Sequence, residues 1–195
     1  MNIRPAENWF WFFDKALDAL MIDLSNEMIF RSRYNQKLLI ADALYQSAFC
    51  IQDATFYYQF YESCAELSLS EPNRVELVLN ALAARNYLKP QLPKSWFFMQ
   101  QPCFFVPAVG EIVVACTQES GECVNLLTID VGESASLCVV ADVHITMSGK
   151  TFYLGEPIKV MHDRLAPKNR VSQQQMQSTD TETNQILQNF LSKVC

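Results

Sequence analysis

The sequence predicts an α+β protein: a small β-meander carrying two helices, followed by a twisted, antiparallel, barrel-like β region. Three observations predict it. All five glycines (110, 121, 132, 149 and 155) lie in the second half, so two architectures are joined. Pro90, Pro93, Pro102 and Pro107 stand between them, removing backbone donors and fixing φ often enough to block a continuous helix. Half of the 195 residues are apolar and only 18% are charged, ample material for a core. The expected division is an N-terminal α/β domain over 1–95, a β domain over 96–167 and a polar, disordered tail over 168–195, with the junction between about 90 and 105.

In the first part, Trp9 to Phe13, Ala19 to Leu24 and Met28 to Ser32 are short aromatic and aliphatic runs. Asp14-Lys15 and Ser25-Asn26 separate them, which predicts a three-stranded meander. Leu20, Ile22 and Leu24 share one face by period two, with Met21 and Asp23 opposite. A helix follows over Asp53 to Leu67, where Tyr57, Phe60, Tyr61 and Cys64 recur at helical spacing and Asp53 serves as N-cap. A second runs from Glu71 to Leu88, with Ser70 as N-cap, Pro72 in the first turn, and Val75, Val78, Leu79 and Leu82 on its buried stripe. Both helices are expected to cover one face of the small sheet.

The second part alternates strand-like runs with glycine turns: Glu111 to Thr117, Cys123 to Asp130, Ala135 to Ala141, Val143 to Met147 and Thr151 to Leu154. This spacing predicts a small antiparallel sheet curled towards a barrel or sandwich. Pro157 to Leu165 reads as a last short helix or strand. From about Pro167 the composition turns to Gln, Ser, Thr and Asn, which cannot bury enough apolar surface to order itself.

The formal charge of −6 argues against nucleic acid as a partner, because neutralising phosphates takes a basic face. The N-terminal apolar run stops at Asp14, too short for a signal peptide, and Asp42 and Gln46 interrupt the stretch from Leu38 to Ile51, so no membrane insertion is expected. Seven cysteines, none at C-x-x-C spacing, read as reduced and mostly buried. They and two distant histidines supply no converging set of metal ligands.

Catalytic motifs are not found. Gly149-Lys150-Thr151 resembles the end of a phosphate loop, but His144 stands where the earlier glycine is required, so it reads as a hairpin turn. Gly132-Glu133-Ser134-Ala135 continues to Ser136 instead of completing a nucleophile elbow. His144 and His162 have no motif-linked nucleophile and read as structural or surface residues. The chain is expected to be no enzyme and to carry no cofactor.

Charge placement carries more. Residues 95–149 hold no Lys or Arg and six acids, whereas Arg85, Lys89 and Lys94 fall within ten positions that hold no acid. This basic ridge is flanked by Tyr87, Leu88, Leu92, Trp96, Phe97 and Phe98, apolar anchors beside positive charge, a composition enriched in protein interfaces. The competing reading makes Trp96 and its neighbours inter-domain core and the lysines a solvated rim. Arg31, Arg33 and Lys37 form a second cluster, and Lys159, Arg164, Lys168 and Arg170 a third.

From Leu77-Val-Leu-Asn-Ala-Leu-Ala-Ala-Arg-Asn-Tyr-Leu-Lys-Pro-Gln-Leu-Pro-Lys-Ser-Trp96 the chain resembles the ZapC family of gamma-proteobacterial cell-division proteins. The likeness extends through Asn8-Trp9, Met28-Ile-Phe-Arg-Ser-Arg33, Val124-Asn-Leu-Leu127, Gly132-Glu133, Leu137-Cys138, Leu154-Gly155, Ile158-Lys159 and Asp163-Arg-Leu165. It covers roughly residues 1–167. The glycine and proline shift near Pro90 to Pro107 predicts a monomer or weak self-associator with two cores. The resemblance implies a cytoplasmic protein at the mid-cell division site. It would bind the globular core of FtsZ, an acidic polymer, promote lateral bundling of its protofilaments, stabilise the Z-ring and restrain FtsZ GTP turnover. It also implies an N-terminal α/β region followed by a twisted barrel-like β domain, and a surface joining two pockets, one rimmed by basic residues. Lys89, Lys94, Lys159 and Arg164 are the expected rim, with Trp96 as apolar anchor and Arg31 and Arg33 as the fallback surface. The competing class is a small-ligand-binding module with an apolar pocket in the β domain.

Overall fold

A computed structural model describes residues 3–25 and 27–169. The meander forms as expected: β1 (Phe10–Asp14), β2 (Ala19–Asp23) and β3 (Ile29–Arg31). They pair antiparallel, with Trp11 opposite Ile22 and Ile22 opposite Phe30. A two-residue strand that the pattern did not reveal, β4 (Ser47–Ala48), adds to the far edge of β1 and gives the order β3-β2-β1-β4. Leu20, Ile22 and Leu24 are buried on one face as their period predicts.

Helix α1 runs over Ile51–Ser63, followed by a 3-10 turn at Cys64–Glu66. Its N-cap is Cys50, not Asp53. Asp53 lies three positions inside the helix, where its carboxylate accepts from the Cys50 backbone N–H at 3.0 Å and from the Asn86 amide at 2.6 Å. A carboxylate reaching back from that position satisfies an orphan donor without itself starting the helix. Helix α2 (Glu71–Tyr87) begins as expected, with the Ser70 hydroxyl accepting from the Asn73 N–H at 3.4 Å.

Both helices reach one face of the small sheet: Trp9 meets Tyr57 of α1 edge-on at 6.1 Å, and Trp11, on the same face, meets Tyr87 of α2 edge-on at 5.7 Å. From Leu77 to Ala84 every residue of α2 is buried, including Asn80. A helix buried all round needs cover on both sides. The first sheet supplies one side through Trp11, Leu20 and Ile22, and the second half supplies the other through Leu127, Ile129, Val139 and Ala141, all in one continuous core.

The second half contains β5 (Ile112–Cys116), β6 (Cys123–Val131), β7 (Ala135–Val140), β8 (His144–Met147), β9 (Lys150–Tyr153), β10 (Pro157–Met161) and β11 (Ala166–Pro167). The segment from Pro157 resolves into a strand followed by a 3-10 turn, His162–Arg164. Five strands join in the order β10-β7-β6-β5-β11, and β8 and β9 form a separate hairpin. The fold is therefore mixed α+β, and among the described residues none of the sheets closes into a barrel. One edge, β11, is two residues long and includes a proline, which cannot donate to a further strand. A second apolar cluster, with Phe98, Val113, Val124, Cys138, Ile145, Met147, Phe152 and Ile158, fills the space between the five-stranded sheet and the hairpin.

The expectation of uniformly reduced cysteines is corrected. Cys116 and Cys123 face each other across β5 and β6 and form a disulfide. Spacing could not show this, because the pair is made by strand register and not by a sequence motif. Cys64 and Cys138 are buried as expected, while Cys50 and Cys103 are exposed. The tail expected to be disordered lies, from residue 170 on, outside the described residues.

Candidate interaction surface

Helix α2 is capped by Leu88, whose N–H donates to the Ala84 carbonyl, and Pro90 prevents continuation. Lys89 follows at once, exposed, with its N–H on the Leu38 carbonyl at 2.8 Å and its ammonium donating to the Lys37 carbonyl at 3.0 Å. It lines a cleft of about 530 Å³ with Arg85, Asn86 and Gln91, the β6 and β7 residues Asp130 and Leu137, and Lys159 of β10. Lys89 and Lys159, from the two halves of the sequence, thus meet at one opening. The junction is pinned by backbone: Lys94 N–H donates to the Lys159 carbonyl at 2.8 Å.

Arg85, in the same cleft, is committed to structure. The β6 to β7 register shifts between Thr128 and Asp130, and the Arg85 guanidinium donates to the Ile129 carbonyl in that irregularity while lying 3.9 Å from the Phe56 ring centroid.

Lys94 points elsewhere and is half-buried, not fully exposed. Its ammonium lies 5.6 Å from the Phe152 ring centroid, and that of Lys150 lies 4.7 Å from the same centroid. Burial lowers the Lys94 pKa and the Lys150 charge lowers it further, with Glu156 opposing. The Gly-Lys-Thr context of Lys150 reads as turn chemistry and gives no sign of a charged partner; only the hairpin fold brings it to Lys94.

Trp96 is not inter-domain core: 63% of it is exposed, whereas Phe98, two positions on, is fully buried. The Trp96 ring lies 5.5 Å from Phe97, whose ring in turn meets Phe152 edge-on at 6.0 Å. Trp96 and Phe97 wall a groove of about 290 Å³ with Gln118, Glu119 and Met147.

Arg164 stands apart from both openings. Its guanidinium donates to the Phe98 carbonyl at 3.2 Å and lies 3.5 Å from the Asp163 carboxylate, so it holds the chain after Trp96 in place. Arg31 and Arg33 line a third cleft, of about 570 Å³, with Asp18, Glu76 and Glu156. Arg31 donates to the Leu17 carbonyl at 3.0 Å, and Arg33 pairs with Glu76 at 2.7 Å. Three acids there outnumber the two arginines.

Three of the six acids of the Lys-free stretch accept backbone N–H groups. Glu111 accepts from the Ala108 N–H at 2.8 Å, Glu119 from Ser148 at 2.9 Å, and Asp142 from Asn125 at 2.7 Å. Among the described residues no group of three His, Cys, Asp or Glu side chains could hold a metal ion, and no helix is long and apolar enough to cross a membrane.

Two family profiles match the chain, one described as "Cell-division protein ZapC, N-terminal" over residues 2–89 and one as "Cell-division protein ZapC, C-terminal" over residues 90–171. A protein of Musicola paradisiaca named "Cell division protein ZapC" is 42% identical over 168 residues, covering 86% of this chain and 90% of its own. Proteins of the same name from Proteus mirabilis and Vibrio cholerae are 38% and 36% identical, over 89% and 86% of this chain and 94% and 93% of theirs.

Proposed function

We propose that this chain, which belongs to the ZapC family of cell-division proteins, acts in division by binding FtsZ and bundling its protofilaments laterally, stabilising the Z-ring and restraining FtsZ GTP turnover without catalysis of its own. The cell-division role itself follows from family membership. The observation that supports the finer reading is the convergence of Lys89 and Lys159 at one cleft in a chain of net charge −6. Two acidic bodies repel unless local positive charge meets acidic surface at contact, and this cleft supplies it.

Bundling needs two contacts. The Lys89–Lys159 cleft would take one, and the groove of Trp96 with Lys94 beside it a second. Once either contact is made, the other gains from effective concentration. The monomeric state and a mid-cell, cytoplasmic position belong to the same proposal.

Cosedimentation with assembled FtsZ at low and high salt tests it. The unmodified chain pellets with the polymer and does so less as salt screens the contact. The double variant K89E/K159E, which moves the net charge from −6 to −10, stays in the supernatant with its melting temperature nearly unchanged. Pelleting of that variant as efficient as that of the parent would overturn the assignment of the cleft.

A further inference from the structure

The Cys116–Cys123 pair sits beside the chain that carries Trp96. The two residues are directly opposite in the β5 to β6 register. The next rung outward is hydrogen-bonded, Thr117 N–H to the Glu122 carbonyl at 2.8 Å, so the cysteines occupy the rung without backbone bonds, where side chains approach most closely. The turn they close holds the chain next to Trp96. Gln118 donates from its N–H to the Phe97 carbonyl at 2.9 Å and from its side chain to the Phe98 carbonyl at 3.0 Å. Met99 N–H donates to the Cys116 carbonyl itself at 2.8 Å.

We propose that Cys116 and Cys123 are a reversible thiol–disulfide clamp that sets how firmly the Trp96–Met99 segment is held. The strands do not need the bond to stay paired, since Val113, Ala115, Val124 and Leu126 anchor them in the second core. Cys123 is half-buried and open to exchange. Burial pushes the Cys64 and Cys138 thiols up to about 12, which keeps these two inert.

Oxidation proceeds with a low-molecular-weight disulfide such as oxidised glutathione. The Cys123 thiolate attacks one of its sulfurs, displacing a glutathione thiolate and leaving a mixed disulfide. The Cys116 thiolate then attacks the Cys123 sulfur, forming the protein disulfide and displacing the second glutathione thiolate. The two protein thiol protons pass through solvent to the released thiolates, and two electrons reduce the glutathione disulfide. A dithiol reverses both steps.

The full chain is incubated with oxidised glutathione or with dithiothreitol, then alkylated and mapped by mass spectrometry. Cys116 and Cys123 are protected together after oxidation and both labelled after reduction. Amide hydrogen exchange in the same two states reads the segment: on reduction Gln118 and Met99 exchange about tenfold faster, while the buried β6 amides are unchanged. A C116S/C123S variant exchanges at the reduced rate in both conditions. Labelling of both cysteines after oxidation, pairing of either with a different cysteine, or equal exchange of Gln118 and Met99 in the two states would each overturn the clamp. None of these measurements involves FtsZ, so the cell-division reading stands or falls separately.

Discussion

The Tyr34 hydroxyl donates to the carbonyl oxygen of Gly155 at 2.6 Å, across 121 residues of sequence, with the Asn80 carbonyl 3.0 Å from the same oxygen. One phenol thereby joins the chain after β3, the central helix α2 and the turn before β10. All of it is buried.

Tyr34→Phe removes that donor and leaves two interior carbonyls without it. The expected loss is about 1–3 kcal/mol of unfolding free energy, read by urea denaturation. Burial also holds the Tyr34 phenol far above its ordinary value of 10.0. Unfolded Tyr34 ionises near pH 10 while the folded one does not, so stability falls as pH rises past that point. Tyr34→Phe removes part of this alkaline slope; an unchanged slope would contradict the assignment.

Gly155 has φ +80°, and a Cβ there would stand 2.7 Å from the Asn80 side chain, which is itself fully buried. At Gly149, with φ +71°, a Cβ would meet nothing within 4 Å. Both changes to alanine carry left-handed backbone strain, but only Gly155→Ala adds a collision. It should cost about 1–3 kcal/mol more than Gly149→Ala in thermal melts.

Trp96→Ala should separate binding from folding. With 63% of the residue exposed, truncation leaves no cavity, and stability should shift by no more than about 0.5 kcal/mol. FtsZ pelleting should drop. A large fall in melting temperature would mean that Trp96 packs more deeply than this structure places it.

His162 is fully buried, with Nε2 3.0 Å from the Ser136 hydroxyl and Nδ1 without a hydrogen-bond partner among the described residues. Burial lowers its pKa below 6.5. In the window just below that value the unfolded state binds the proton that the folded state refuses, so stability declines as pH falls through it. His162→Gln should flatten this acid limb, measured as unfolding free energy between pH 7 and pH 5; an equally steep limb would assign the dependence to other groups.

The chain by itself determined the local elements, because each rests on short-range patterns. Ser70 and Pro72 mark the start of α2, and Leu88-Lys89-Pro90 its end. Alternation at Leu20, Ile22 and Leu24 sets the inner face of β2, and glycines punctuate the second half. The family likeness was legible too, carried by long ordered blocks. Asp53 shows where a local signal misleads: the same carboxylate satisfies a helix start from the cap or from three positions inside, and only backbone geometry tells them apart.

What brings distant residues together was decided by the tertiary structure alone. The burial of α2 on both sides depends on where the second sheet lies, which no window of sequence contains. Lys89 meets Lys159 because β10 is an edge strand that runs past the end of α2. Lys94 parts from Lys89 because a folded hairpin offers it the Phe152 ring. Cys116 finds Cys123 through strand register, and Trp96 is exposed while Phe98 is buried because the backbone bonds of Phe97 and Met99 to β5 and its turn fix which side of that short segment faces the core. In each case the deciding quantity is a through-space distance set by packing, and sequence separation does not encode it.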